Sequence, residues 1–220
     1  MLMKKLLPVL LILIFAASFT LAQKKVRKVV YETVDDESGT MIAGAKFGLN
    51  FATFGGDNSS NYSGTTKFFF GGFFGYDFIR NFGLQGELLY NPVGGGYSSP
   101  GQAGGNDGIS YLEFVVLAKY SVPVNPNIKI FFEAGPQLGI KLSATEHSDA
   151  TGTDTDISQY ISGTDFDLVV GTGTAFRVGP GNIIFDVRYN IGLSSIQKNG
   201  NAHNSNQVFS MAVGYGLFLN

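Results

Sequence analysis

The sequence has no cysteine, no tryptophan, two histidines and only 15% charged residues. Without cysteine there is no disulfide and no thiolate metal site. The lipid-modified cysteine of an anchored lipoprotein is excluded as well. With histidine limited to His147 and His203, general bases and metal ligands are in thin supply. Helical periodicity is also missing: from residue 41 onward almost no segment repeats its apolar residues at a 3.6-residue period. There is no basic face of the kind a nucleic-acid partner requires, so no nucleic acid is expected.

What is abundant is equally unusual. The 220 residues include 20 Phe, 10 Tyr and 30 Gly, a chain long enough for one sizeable domain. The stretch FFFGGFFGYDF at 68–78 is the extreme case, since its glycines would weaken an ordinary strand.

The N-terminus MLMKKLLPVLLILIFAASFTLAQ joins Lys4 and Lys5 to an apolar core from Leu6 to Phe19 and a small-residue site ending at Ala22. This is the pattern of a cleaved secretory signal over residues 1–22, its apolar run being short for a spanning helix. The leader takes two of the 15 basic residues and none of the 17 acidic ones, leaving 13 against 17 and a net charge of about −4. Residues 23–40 follow as a charged segment, with KKVRK at 24–28 and DDE at 35–37. It reads as a solvated tail on the periplasmic side.

From 41 to 220 the chain divides into eight segments of two-residue alternation. They fall at about 42–54, 67–79, 82–92, 109–121, 128–142, 164–178, 183–194 and from about 207 to the end. In the second and third, Phe68, Phe70, Phe74, Tyr76, Phe78, Phe82, Leu84, Leu88 and Tyr90 share one face, and Asp77, Gln85, Glu87 and Asn91 the other. Short turns at 80–81, 122–127 and 179–182 alternate with long polar loops at about 55–66, 93–108, 144–163 and 195–206. The expected fold is therefore all-β, an eight-stranded antiparallel up-and-down barrel with every long loop at one end. That asymmetry, with segments long enough to cross a bilayer at a tilt, points to a transmembrane barrel of the outer membrane. A soluble ligand-binding barrel is the competing fold.

Glycine indicates which face is which. Twelve glycines, among them Gly48, Gly71, Gly75, Gly139, Gly173 and Gly216, fall on the charged face, and only Gly72 and Gly86 on the apolar one. A narrow eight-stranded lumen demands small residues, whereas water does not. The charged face is thus expected inside, with Glu87, Glu113, Glu133, Asp165 and Asp186 available to pair with Lys46, Lys119, Lys129, Arg177 and Arg188. Phe69, Phe73, Phe131, Glu133, Arg177 and Arg188 would fill the lumen. Aromatics near segment ends, including Phe68, Phe78, Phe82, Tyr90, Tyr120, Phe166, Phe176 and Tyr215, would form girdles at the membrane surfaces.

The stretches AGAKFGLNFATF at 43–54, NFGLQGELLYN at 81–91, YLEFVVLAKY at 111–120, FFEAGPQLGI at 131–140 and DVRYNIGLSSI at 186–196 together resemble the PorT-like family of outer-membrane β-barrel proteins. The resemblance spans nearly all of residues 41–220. It departs from the common outer-membrane pattern in the charged segment 23–40 and in the ending LFLN, which lacks a terminal aromatic; Phe218 falls on the inward face. The resemblance implies an outer-membrane location and a barrel, and for its namesake branch an association with protein secretion and gliding.

Chemistry-bearing patterns are few. EHSD at 146–149 gathers Glu146, His147, Ser148 and Asp149, but neighbours in sequence do not make a nucleophile and base. Asp149, Asp154 and Asp156 lack the spacing and closing Glu of a calcium loop. GTGTAF at 171–176 lacks the third glycine and the helix of a dinucleotide loop and reads as inward glycines in a strand. No catalytic, cofactor or metal residue is assigned. The expected function is that of a structural or surface-binding barrel in contact with outer-membrane lipid, monomeric, with a possible surface ligand. An accessory role in secretion, with a secretion-machinery partner, and a lipid-modifying enzyme are the alternatives.

Overall fold

The computed structural model describes residues 39–56, 62–97, 105–195 and 204–219. The expected leader, residues 23–38 of the charged segment and His203 lie outside the described residues.

Alternation of side chains through two unlike surroundings makes each segment a strand. Eight long strands build the wall: β1 (Thr40–Gly56), β2 (Tyr62–Ile79), β3 (Phe82–Tyr97), β4 (Gly105–Asn125), β5 (Ile128–Ser148), β7 (Thr164–Val178), β8 (Gly181–Gly192) and β9 (Asn204–Phe218). A ninth, β6 (Thr153–Asp156), is a four-residue strand on the loop-end extension of β5. Each wall strand pairs antiparallel with its neighbours in sequence, β5 with β7, and β1 with β9, so the eight-stranded wall closes on itself.

The strands outrun the segments legible in the alternation. β3 continues to Tyr97, β4 begins at Gly105 and β5 runs to Ser148, so 93–97 and 105–108 of one expected loop and 144–148 of another are paired wall. The reason is physical: beyond the apolar band both faces of a strand can be polar, and the two-residue contrast fades although the backbone ladder persists. The same holds at the other end. VPVNPN was expected to be a turn, yet Pro123 pairs with Lys129 within the β4–β5 ladder, beside a register shift that absorbs its missing N–H. The connection there shortens to Pro126 and Asn127. At Gly179 a φ of 60° turns the chain between β7 and β8, a conformation suited to glycine.

The two faces separate as the glycine bias required. Phe68, Phe70, Phe74, Tyr76 and Phe78 of β2 all point outward, Phe68 being 75% exposed, while Phe69 and Phe73 are buried inside. Leu84, Leu88, Phe114, Val116, Leu138, Ile140, Val170, Phe185 and Met211 continue the outer band around the wall. Neighbouring strands join their aromatics on this surface, with ring centroids 4.9 Å apart for Phe82 and Tyr120 and 5.4 Å for Phe70 and Tyr90. Of the two outward glycines, Gly86 has nothing within 4 Å of where a Cβ would stand.

Inside, large rings occupy the space that glycines on neighbouring strands leave. Gly48 is the register partner of Phe69, and a Cβ there would lie 2.6 Å from the ring. Phe131 faces Gly173 in the same way, and Phe73 reaches Gly216, where a Cβ would come within 2.8 Å of Cζ. These rings belong to two apolar clusters, one of Phe73, Phe131, Ala175 and Ile184, the other of Phe69, Leu89, Val115, Leu117, Val169 and Ala212. The lumen is a packed core.

Candidate functional site

The interior polar residues come mainly from alternate positions of the strands and sort into two layers. The lower layer, nearer the short turns, is centred on Arg188 of β8. Its guanidinium takes Glu87 of β3 in a bidentate pair at 2.6 and 2.8 Å, and its Nε lies 2.6 Å from Glu133 of β5 and 3.1 Å from Asp186. Lys46 of β1 joins Glu87 at 3.3 Å and Asp186 at 2.8 Å. Gln85 donates to Glu87 and accepts from Lys119, whose ammonium stands 4.0 Å over the Phe131 ring. Lys46, Lys119 and Arg188 therefore balance Glu87, Glu133 and Asp186. A planar guanidinium that meets several carboxylates from different strands ties the wall across its diameter.

The upper layer is acidic. Glu113 of β4 accepts from Asn91 at 2.7 Å, and Asn91 in turn accepts from Asn50. Asp165 of β7 accepts from Ser194 at 2.6 Å and from Asn206. Asp167 accepts from Gln137 at 2.8 Å, which accepts from Asn190 at 3.1 Å. Glu113 and Asp165, expected to pair with cations, are thus held by amide and hydroxyl donors. Register explains this: both stand level with Gly139 of β5, whereas Lys119 stands level with Glu133, six residues lower and roughly 20 Å along the strand. Arg177, expected to fill the lumen, is exposed near the turn end, 5.1 Å from the Phe218 ring. Lys129 and Phe218 border the opening there.

A cap closes the loop end. After β6 the chain bends inward, and Ile157 and Ile161 pack on buried Ala52, Val93, Ile109, Tyr111, Ala144 and Val208. Lys141 donates to the carbonyls of Ser158 and Ile161 at 2.6 and 2.7 Å, and Ile157 N–H donates to Ala144. Asp156 accepts from Ser158 N–H at 2.8 Å; hydrogen bonds from the Ser158 hydroxyl and backbone hold its carboxyl below the usual range. By composition 144–163 is a polar loop. The only signal for the cap was the pair of isoleucines four residues apart in a polar setting.

The chemistry-bearing residues of that loop do not converge. His147 Nδ1 lies 2.7 Å from Asp154 Oδ1 across the β5–β6 ladder, while Ser148, next along the strand, points to the other face. Asp156 is engaged by Ser158 and Asp149 lies in the turn beyond β5. Among the described residues no three His, Asp or Glu side chains come close enough to ligate a metal directly. GTGTAF lies within β7, its Thr172 hydroxyl bonded to the Phe131 carbonyl at 2.9 Å.

Several solved outer-membrane proteins are similar to this chain. The outer membrane protein OprG from Pseudomonas aeruginosa is 13% identical, with 83% of this chain and 97% of that one aligned and a TM-score of 0.51. Ail, the attachment invasion locus protein of Yersinia pestis, is 16% identical over 83% of this chain and 99% of that one, at a TM-score of 0.42. The outer membrane protease OmpT from Escherichia coli is 10% identical over 86% and 99%, at 0.45. Identities this low speak to fold alone, and at a TM-score above one half only OprG of these three carries that argument. No curated protein matches the sequence. The family model for the outer membrane protein beta-barrel domain matches residues 22–198, and with the closed wall and its apolar outer band this places the chain in that family.

Proposed function

We propose that the protein is a non-enzymatic, closed barrel of the outer membrane that acts as a structural or surface-binding element through its loop end. The observation that carries this reading is the sealed interior: a salt-bridged layer spans the lumen at Arg188, and the segment around Ile157 and Ile161 covers the loop end. A lumen filled in this way leaves the loops and the outer band as the surfaces available to partners, the band meeting lipid. What speaks against catalysis is that Ser148, the hydroxyl next to His147 in the chain, faces away from the His147–Asp154 pair. The same proposal includes a monomer, a signal peptide at 1–22 and a PorT-like affiliation.

Planar-bilayer recording of the refolded protein tests it. The sealed lumen predicts no stable stepwise conductance, and a persistent open channel would contradict it. The affiliation favours a second reading, an accessory role in protein secretion in which residues 23–40 contact periplasmic machinery. Deleting 23–40 with the leader retained separates the two: loss of secretion with the barrel still assembled supports the second, unchanged secretion the first.

A further inference from the structure

At the turn end of the barrel the basic residues outnumber the acidic ones. Beyond the Arg188 layer stand Arg80, Lys129 and Arg177, with Asp77 as the one acid there among the described residues. Lys129 and Arg177 are diagonal neighbours on the inward face of β5 and β7: Lys129 is the register partner of Ala175, and Arg177 follows two residues on. Like charges so placed repel, and an anion beside them is favoured. Lys129 lines a recess at this mouth together with Thr40, Asp77, Ser121, Asn182 and Phe218.

The start of β1 brings such an anion within reach. Asp35, Asp36 and Glu37 stand just before Ser38 and Gly39 in the sequence. The Gly39 N–H donates to the Asp77 carbonyl at 2.6 Å, which fixes the point where the chain joins the wall, and a φ of 82° turns the chain there. A Cβ on Gly39 would meet nothing within 4 Å, so glycine supplies the turn and not room. Arg177 leans toward the same point. Its guanidinium stands 5.1 Å from the Phe218 ring, and Phe218 is the register partner of Ile42, two residues from Thr40. The four residues from Gly39 back to Asp35 span up to roughly 14 Å. Three strand spacings, each about 4.8 Å, separate β1 from β7, so the run reaches Arg177.

We propose that the acidic run at 35–37 docks on this mouth, with its carboxylates on Lys129 and Arg177. Pairs of this kind are individually weak, but a tether of two residues makes the docking intramolecular and raises the effective concentration of the run. Docked there, it passes from the start of β1 across β9 toward β7, and so clasps the seam at which the first and last strands close the wall. A lipid phosphate or an acidic peptide has to displace the run to reach the same cations. The inference concerns the turn end alone; the Arg188 layer seals the lumen with or without it.

The test uses the full mature chain refolded into vesicles of zwitterionic lipid. The chain has no cysteine, so Val34→Cys with Asn182→Cys allows a single intramolecular disulfide and leaves every charge in place. Asn182 lines the recess and is the register partner of Arg177, and the bond forms only when the two Cα atoms come within roughly 7 Å. Under mild oxidant at low salt the disulfide is expected, read as a mobility shift on a non-reducing gel. Its formation is expected to slow several-fold when Asp35→Asn, Asp36→Asn and Glu37→Gln are added, changes that lie outside the wall. The same slowing is expected in 1 M salt, where the screening length is about 3 Å. Reversing the run with Asp35→Lys, Asp36→Lys and Glu37→Lys is expected to abolish the bond, and Lys129→Glu with Arg177→Glu to restore it. Equal rates in the charged and amide chains would overturn the proposal, since the tether alone would then explain the contact. Absence of the disulfide in the charged chain would overturn it too, and a fall in retained anionic phospholipid in Lys129→Gln, Arg177→Gln would then assign the mouth to headgroups.

Discussion

At the scale of single residues the interior is a set of fits between strands distant in sequence. The glycine bias showed that the charged face is crowded, but not which ring occupies which glycine. Phe69 lies against Gly48 and Phe73 against Gly216, pairings fixed by register and shear. Local alternation carries no information about either. An added methyl therefore has opposite consequences on the two faces. Gly48→Ala is expected to lower the unfolding free energy by about 1–3 kcal/mol through overpacking on the Met211 carbonyl and the Phe69 ring. Gly86→Ala, with nothing within 4 Å, is expected to be close to neutral. Urea titration of the two variants in the same lipid checks the contrast. The salt-bridge centre gives a second test. Arg188→Met leaves Glu87, Glu133 and Asp186 with only part of their compensation. The expected loss is about 3–5 kcal/mol, measured in the same titration, because a buried charge without its partner costs more than the pair contributes. Lys46, Glu87, Glu133, Asp186 and Arg188 were all legible as inward charges. That Glu113 and Asp165 would be held by amides was not, since the distance between the layers depends on how the ladder steps around the barrel.

At the scale of elements, alternation located all eight wall strands, β7 with both its ends, but stopped several of the others short at the loop end. Strand cores are legible because lipid outside and a polar, crowded lumen inside impose opposite demands on successive residues. Beyond the apolar band that contrast lapses, which is why 93–97 and 105–108 looked like loop and are paired wall. The band itself is testable one strand at a time. Val116, at the middle of β4 and 53% exposed, is expected to cost about 2–4 kcal/mol when changed to Arg if that face meets hydrocarbon. The cap is a second element with its own stability. Ile157→Asp with Ile161→Asp is expected to release it and open residues 149–163 to protease while the wall stays folded, as read by cleavage followed by heated and unheated gels. Its pH response has a defined sign. Because the Asp156 carboxyl is held below its ordinary value of 3.8, its bonds with Ser158 support the cap above that pH and fail as pH falls further. The contribution of these bonds to protease protection is therefore expected to be flat through the neutral and mildly acid range, which an Asp156→Asn variant compared with the parent across that range checks.

At the scale of the whole molecule the unusual composition has one cause. A wall with hydrocarbon on one side and a narrow lumen on the other needs aromatics and branched residues outward and glycine inward. FFFGGFFGYDF at 68–78 satisfies both requirements in one strand, with Phe68, Phe70, Phe74, Tyr76 and Phe78 outward and Phe69 and Phe73 held against glycines of other strands. The closed sheet leaves no unpaired edge to satisfy in the bilayer. The central claim, that the apolar face is the outside of a closed barrel in the outer membrane, is tested most directly by membrane fractionation followed by electrophoresis of heated and unheated samples. Recovery with the outer membrane is expected, with a band whose mobility shifts on heating as the barrel unfolds. Recovery as a soluble periplasmic protein with no heat-dependent shift would contradict it.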